Sequence, residues 1–242
     1  MITHNPYTLI LLLLGIAGSA AIIPYSMAMQ GQTDLSLKIF LLALLQGGIL
    51  SAAAVFLGSP ASAALGLEIP SAAGKLPLAV VLGAASGLLI LGLETFVFLP
   101  NFPEVFLRAA GKDIALWKRF FASFYGGITE ELLMRFFLLS GLLWLVTRIW
   151  KGAGGDSITI AFWIVNIIIA VLFGLGHLPA VKQMAGEITP LLLTRTIVLN
   201  SIAGIVFGWL FWHYGLVAAM VSHFTADIVL HVLSPIIKKI VA

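Results

Sequence analysis

Three ionisable residues, Glu130, Glu131 and Arg135, lie in or at the end of the run Gly126 to Arg135 (Gly-Gly-Ile-Thr-Glu-Glu-Leu-Leu-Met-Arg), inside a stretch otherwise apolar enough to cross a bilayer. A charge at the centre of such a segment costs at least about 2.5 kcal/mol and persists where it is paired, hydrated or used in chemistry. Four apart on a helix, Glu131 and Arg135 share a face and form an ion pair. Glu130 is turned about 100° from Glu131. One carboxylate is then neutralised by its own helix, and the other is free to face a cavity. Partial withdrawal from water tunes a carboxylate to act as a general base near neutral pH, and Glu130 is the residue placed for that role.

Two further polar clusters sit in separate apolar runs. His177 closes Phe173-Gly-Leu-Gly-His177-Leu-Pro179, and Ser222-His223-Phe-Thr-Ala-Asp227 puts His223 and Asp227 four apart. Each has a plain structural reading, because a lone buried histidine more often packs or bonds than reacts. The His223 to Asp227 spacing suits a helix-stabilising pair, a carboxylate that orients an imidazole, or two groups addressing one ligand. Taken together, ionisable groups on three membrane segments need a common polar place, and one hydrated cavity satisfies them all. The chain has no cysteine, which removes thiolate catalysis, disulfides and Cys-ligated zinc. It also lacks His-Glu-x-x-His and Gly-x-Ser-x-Gly, the zinc and serine-elbow patterns.

The elements that must position these residues follow from composition. Of 242 residues, 61% are hydrophobic and 10% charged, with a mean hydropathy of +1.12. That predicts an all-α polytopic membrane bundle of about seven transmembrane helices, with eight as the alternative count. The expected spans are Tyr7–Met29, Leu35–Leu57, Leu76–Leu99, Phe120–Trp144, Ile158–Leu178, Leu191–Trp212 and Leu216–Leu233. They form one domain over 1–242, with residues 116–233 as the catalytic core. The first apolar run reads as a retained helix, since no basic segment precedes it. Gly58 to Gly74 reads as an irregular connection, Asn101 to Arg119 as an amphipathic interfacial helix and Lys151 to Asp156 as a Gly-rich turn. Pro179 is expected to end the fifth span, and Ala180 to Pro190 to be a short polar loop. Glu94, near the end of the third, reads as an interfacial charge.

Basic residues set orientation. Lys38, Arg108, Lys112, Lys118, Arg119, Lys182, Arg195, Lys238 and Lys239 fall on one side, against Lys75, Arg148 and Lys151 on the other. The N-terminus is therefore expected outside and the C-terminus in the cytoplasm, with the site opening to the cytoplasm. The net charge of +3 is spread over helix ends, so nucleic acid is excluded as a partner.

Glu130-Glu131-x-x-x-Arg135, Phe173-x-x-x-His177 and His223-x-x-x-Asp227, in that order and each in its own hydrophobic segment, resemble the CAAX prenyl proteases and bacteriocin-processing or immunity proteins, the type II prenyl-endopeptidase group. The resemblance covers roughly Leu116 to Leu233. It implies a membrane-embedded endopeptidase of a prokaryotic plasma membrane, acting on a peptide or lipidated-protein substrate. Glu130 would activate water, His177 assist, and His223 with Asp227 stabilise the oxyanion, while Glu131 and Arg135 support the site. Members were long described as metalloproteases, but a metal-free glutamate mechanism is favoured for the prenyl-protease type, so no cofactor is expected. The alternative is a divalent metal such as zinc on His177, His223 and Asp227. Two positions depart from the family pattern. Phe136 stands where Gly is frequent and is expected to narrow the cavity. Asp227 stands where Asn is common, and an ionised carboxylate cannot donate to an oxyanion. Rival readings are a non-catalytic immunity or binding protein on the same scaffold and a proton-coupled transporter, although no repeated half is present.

Overall fold

In a bilayer the backbone has no partner but itself, so apolar runs of this length fold as helices. The computed structural model has seven helices long and apolar enough to span: α1 (Thr8–Met29), α2 (Leu37–Ala64), α3 (Leu76–Asn101), α4 (Leu116–Ile149), α5 (Ser157–Ala185), α6 (Pro190–Tyr214) and α7 (Leu216–Ile237). Residues 7–32, 34, 36–67, 69, 73–102, 113–150 and 156–241 are described, with no strand among them. The chain is an integral, multi-pass, all-α membrane protein.

Three expectations about connections are corrected. The second span does not give way to irregular chain at Gly58. It continues to Ala64 with Pro60 inside it, as membrane helices tolerate when neighbouring groups take up the freed backbone. Gly66, at φ 67°, then ends it, and the Leu67 N–H closes back on the Ser62 carbonyl at 2.9 Å, a glycine-terminated last turn. Nor does Pro179 stop the fifth span. The helix turns at His177 and resumes over Leu178–Ala185 with the proline in its first turn, where a missing N–H costs nothing. The supposed polar loop after Ala180 is thus largely helical, ended by Gly186 at φ 78°. Leu116 to Arg119 already belong to α4. The rest of the expected interfacial helix at residues 103–112, the turn at 151–155, and Glu68 and Pro70 lie outside the described residues.

Helix α4 stands in the middle, against α1, α2, α5 and α7, while α5 packs on α6 and α3 on α7. Its Leu132, Phe136, Leu139 and Leu143 share one apolar core with Phe162 and Ile169 of α5 and Phe207 and Phe211 of α6. Leu41, Leu45 and Ile49 of α2 and Ile160, Ile164 and Ile167 of α5 are exposed instead. Leucine gains nothing by leaving lipid, so helices associate through close packing and cross-helix hydrogen bonds. Small residues accordingly line the seams: Gly47 lies on Ser19 and Gly208 on Asn166. Thr129 Oγ1 donates to the Gly15 carbonyl at 3.1 Å, tying α4 to α1, and Asn166 Nδ2 donates to the Ile205 carbonyl at 3.0 Å, tying α5 to α6.

Glu94 does not simply snorkel. Arg195 Nε and Nη2 donate to its two carboxylate oxygens at 2.8 and 2.9 Å, a bidentate pair that clamps α3 to α6. Three helices also contain π-type wide turns: α3 at Glu94–Phe98, α4 at Tyr125–Glu130 and Leu132–Leu139, and α7 at Ile228–Leu233. Such turns concentrate at functional sites, and the two in α4 bracket Glu131.

Candidate active site

The wide turns of α4 direct adjacent carboxylates into different surroundings. Glu131 is fully buried. Its Oε1 accepts from Arg135 Nη1 at 2.7 Å and faces His223 Nδ1 at 2.6 Å. Arg135, equally buried, donates from Nη2 to the Gly204 carbonyl of α6 at 3.0 Å. Its guanidinium lies 5.1 Å from the Phe173 ring centroid and 5.3 Å from that of Phe207, favourable cation–π distances. Phe207 in turn stacks on His223 at 4.5 Å. One buried ion pair therefore also fixes an imidazole on another helix. With an ionised carboxylate and a guanidinium on the far side, His223 Nδ1 is the donor to Glu131, and Nε2 is turned towards the remaining polar groups.

Those groups are Glu130 and Asp227. Glu130 Oε2 lies 3.7 Å from His223 Nε2 with its side chain 18% exposed, while Asp227 Oδ1 lies 3.9 Å from the same nitrogen. The orientation of His223 thus comes from Glu131 across the helix interface, and Asp227 addresses the other edge of the ring. Gly126 permits this approach. A Cβ there would collide with Asp227 Oδ2 and stand 3.0 Å from His223 Nε2. Gly126→Ala is therefore expected to lower catalytic turnover by about tenfold or more, since sub-ångström misplacement of reacting groups is costly, while the thermal midpoint changes little. Steady-state kinetics beside a thermal melt check it.

His177 is held differently. Its Nδ1 bonds the Phe173 carbonyl at 2.8 Å, which makes Nδ1 the donor and leaves Nε2 for chemistry. Phe173 meets both imidazoles edge to face, His177 at 4.7 Å and His223 at 5.6 Å. Among the described residues no ion pair or hydrogen bond joins His177 to Glu130, so the structure gathers Glu130, Glu131 and Asp227 around His223, with Arg135 on Glu131, and leaves His177 linked to them through the Phe173 ring. Phe136 packs on the backbone of Gly58 in α2, fully buried, so its ring is accommodated by the second span. No three His, Asp or Glu side chains among the described residues are grouped to hold a metal ion.

Sequence reasoning missed the Glu131 to His223 bond, which joins residues 92 apart, and it missed His231. The latter lies four residues beyond Asp227, with Nε2 3.8 Å from Asp227 Oδ1. That spacing was the available signal.

Charged groups from α4 and α7 converging inside a seven-helix bundle define a membrane protein with an intramembrane polar site. Residues 112–229 match the family model described as Type II CAAX prenyl endopeptidase Rce1-like. This stretch holds all six candidate residues, and its likeness to that family supports, at family level, a CAAX-type intramembrane endopeptidase. Neither a curated protein nor a solved structure matches the chain.

Proposed function

We propose that the protein hydrolyses peptide bonds with a water activated by Glu130, in a cavity open to the cytoplasm. Glu130 takes a proton from the water as its oxygen attacks the scissile carbonyl. The proton passes to the departing amine as the C–N bond breaks. Electrostatic stabilisation of the oxyanion needs a preorganised donor; in this reading His223 acts as the imidazolium, donating from Nδ1 to Glu131 and from Nε2 to the oxyanion, with the Asp227 carboxylate supporting its charge. His177 assists through Nε2. The observation that carries this reading is the division of labour in the dyad: Glu131 is spent on Arg135 and His223, whereas Glu130 is partly exposed and 3.7 Å from the imidazole. In this reading the substrate is a peptide or lipidated protein presented from the cytoplasm. The N-terminus lies outside a prokaryotic plasma membrane and the C-terminus inside, and no cofactor takes part.

Purified protein in detergent, given quenched peptides and prenylated C-terminal peptides, is expected to cleave at least one class, with turnover unchanged by exhaustive chelation. What supports metal independence is that the imidazoles and carboxylates are spent on one another and on backbone and do not surround a common point. Failure to cleave any member of the panel would overturn the assignment as a peptidase. Turnover lost to a chelator and restored by zinc would instead make His177, His223 and Asp227 ligands.

A further inference from the structure

We infer that His231 is a positioning residue for Asp227, and through it for His223. Helix α7 carries His223, Asp227 and His231 at successive intervals of four, so the three share one face. Asp227 Oδ1 lies 3.9 Å from His223 Nε2 and 3.8 Å from His231 Nε2. Its Oδ2 rests where a Cβ on Gly126 would collide. The carboxylate is thus bounded on three sides, with one oxygen between two imidazoles and the other against the α4 backbone. Without His231, Oδ1 has freedom to rotate away from His223, because an aspartate χ2 is broad and only weakly held by its own torsion. Side-chain exposure rises along the face from 6% at His223 to 15% at Asp227 and 40% at His231, so His231 also covers the solvent end of the array. Its ring is placed by a second helix: Tyr25 of α1 lies against it, centroids 6.2 Å apart. Arg119 of α4 and His177 of α5 are within electrostatic reach.

The role of His231 follows from the acceptor at position 227 being a carboxylate. An asparagine presents an amide that a neighbouring backbone or imidazole holds in one orientation. An aspartate presents two equivalent acceptors and needs a second donor to choose between them. We assign that part to His231, whose Nε2 stands 3.8 Å from Oδ1, within electrostatic reach of that oxygen; it lies just beyond the residues that match the family model, 112–229.

The activity consequence rests on the proposed peptidase reading; the positioning itself does not, so the test has one arm for each. His231→Phe keeps the ring against Tyr25 and removes the nitrogen. In full-length protein with ¹⁵N-labelled histidine, in detergent at one fixed pH, the ring-nitrogen shifts of His223 are expected to move in His231→Phe and to stay as in wild type in His231→Gln, whose amide still donates. In an Asp227→Asn background, adding His231→Phe should produce no further shift. In the cleavage assay His231→Phe should lower kcat about tenfold with KM within about twofold, the pattern of a lost transition-state interaction, and His231→Gln should recover most of it. Should H231F not fold, His231→Leu carries the same comparison. His223 shifts unmoved by loss of the imidazole, or moved equally with and without the aspartate, would overturn the proposal, and this arm decides it even if no peptide is cleaved. Unmoved kinetics alongside moved shifts would confine His231 to the geometry and overturn its part in turnover.

Discussion

Glu130→Gln is expected to fold as the native chain does and to hydrolyse substrate about 10²- to 10⁴-fold more slowly, the range associated with losing a general base. The substitution keeps shape and volume and removes only the ability to accept a proton. Its structural cost should stay within about 0.5 kcal/mol, because Glu130 is partly exposed and its contact with His223 Nε2, at 3.7 Å, is longer than a hydrogen bond. The same change one residue later has a different meaning. Glu131→Gln weakens two short contacts at once, to Arg135 and to His223, so it should lower the thermal midpoint as well as turnover. Rates measured beside thermal melts for the two variants therefore separate a chemical carboxylate from an anchoring one. Wild-type turnover in Glu130→Gln would move the base elsewhere, with Asp227 next in line.

The contrast also shows what a single sequence makes legible. Hydropathy located seven spans because bilayer thickness fixes helix length, and a spacing of four paired Glu131 with Arg135 because helix pitch does. Both are local. The bond from Glu131 to His223 and the clamp from Glu94 to Arg195 join residues 92 and 101 apart, and no periodicity carries that information. Proline misled twice in the same way. Pro60 and Pro179 read as breaks, yet one lies inside a helix and the other opens one, since in a membrane neighbouring groups or a first-turn position remove the penalty. The kink at His177 then leaves that residue hydrogen-bonded to its own helix, at the edge of the charged cluster. The first wide turn of α4 was equally unreadable, because its Gly126 and Gly127 seat against His223, Phe224 and Asp227 of a helix about 100 residues away in sequence.

Arg135→Met should lower stability by about 3–5 kcal/mol, the usual consequence of leaving one member of a buried ion pair without the other. Glu131 would keep His223 but lose its 2.7 Å contact with the guanidinium. Gly204 would lose a donor to its carbonyl, and the faces of Phe173 and Phe207 would lose their cation. Methionine fills much of the vacated volume, so the charge imbalance accounts for most of the loss. Glu131→Leu should also destabilise, by stranding the arginine, although Gly204 and the two rings still hold it. The double mutant Glu131→Leu/Arg135→Met buries no unpaired charge and should be more stable than Arg135→Met alone, because an apolar replacement of a buried pair is often close to neutral. Thermal and denaturant midpoints of the three proteins in one detergent check the order. A double mutant no more stable than either single would mean that Glu131 and Arg135 do not act as an electrostatic unit. Activity is expected to diverge from stability in this series: the double mutant regains its fold but not its turnover, because His223 Nδ1 has lost the carboxylate that aims Nε2 at Glu130 and Asp227.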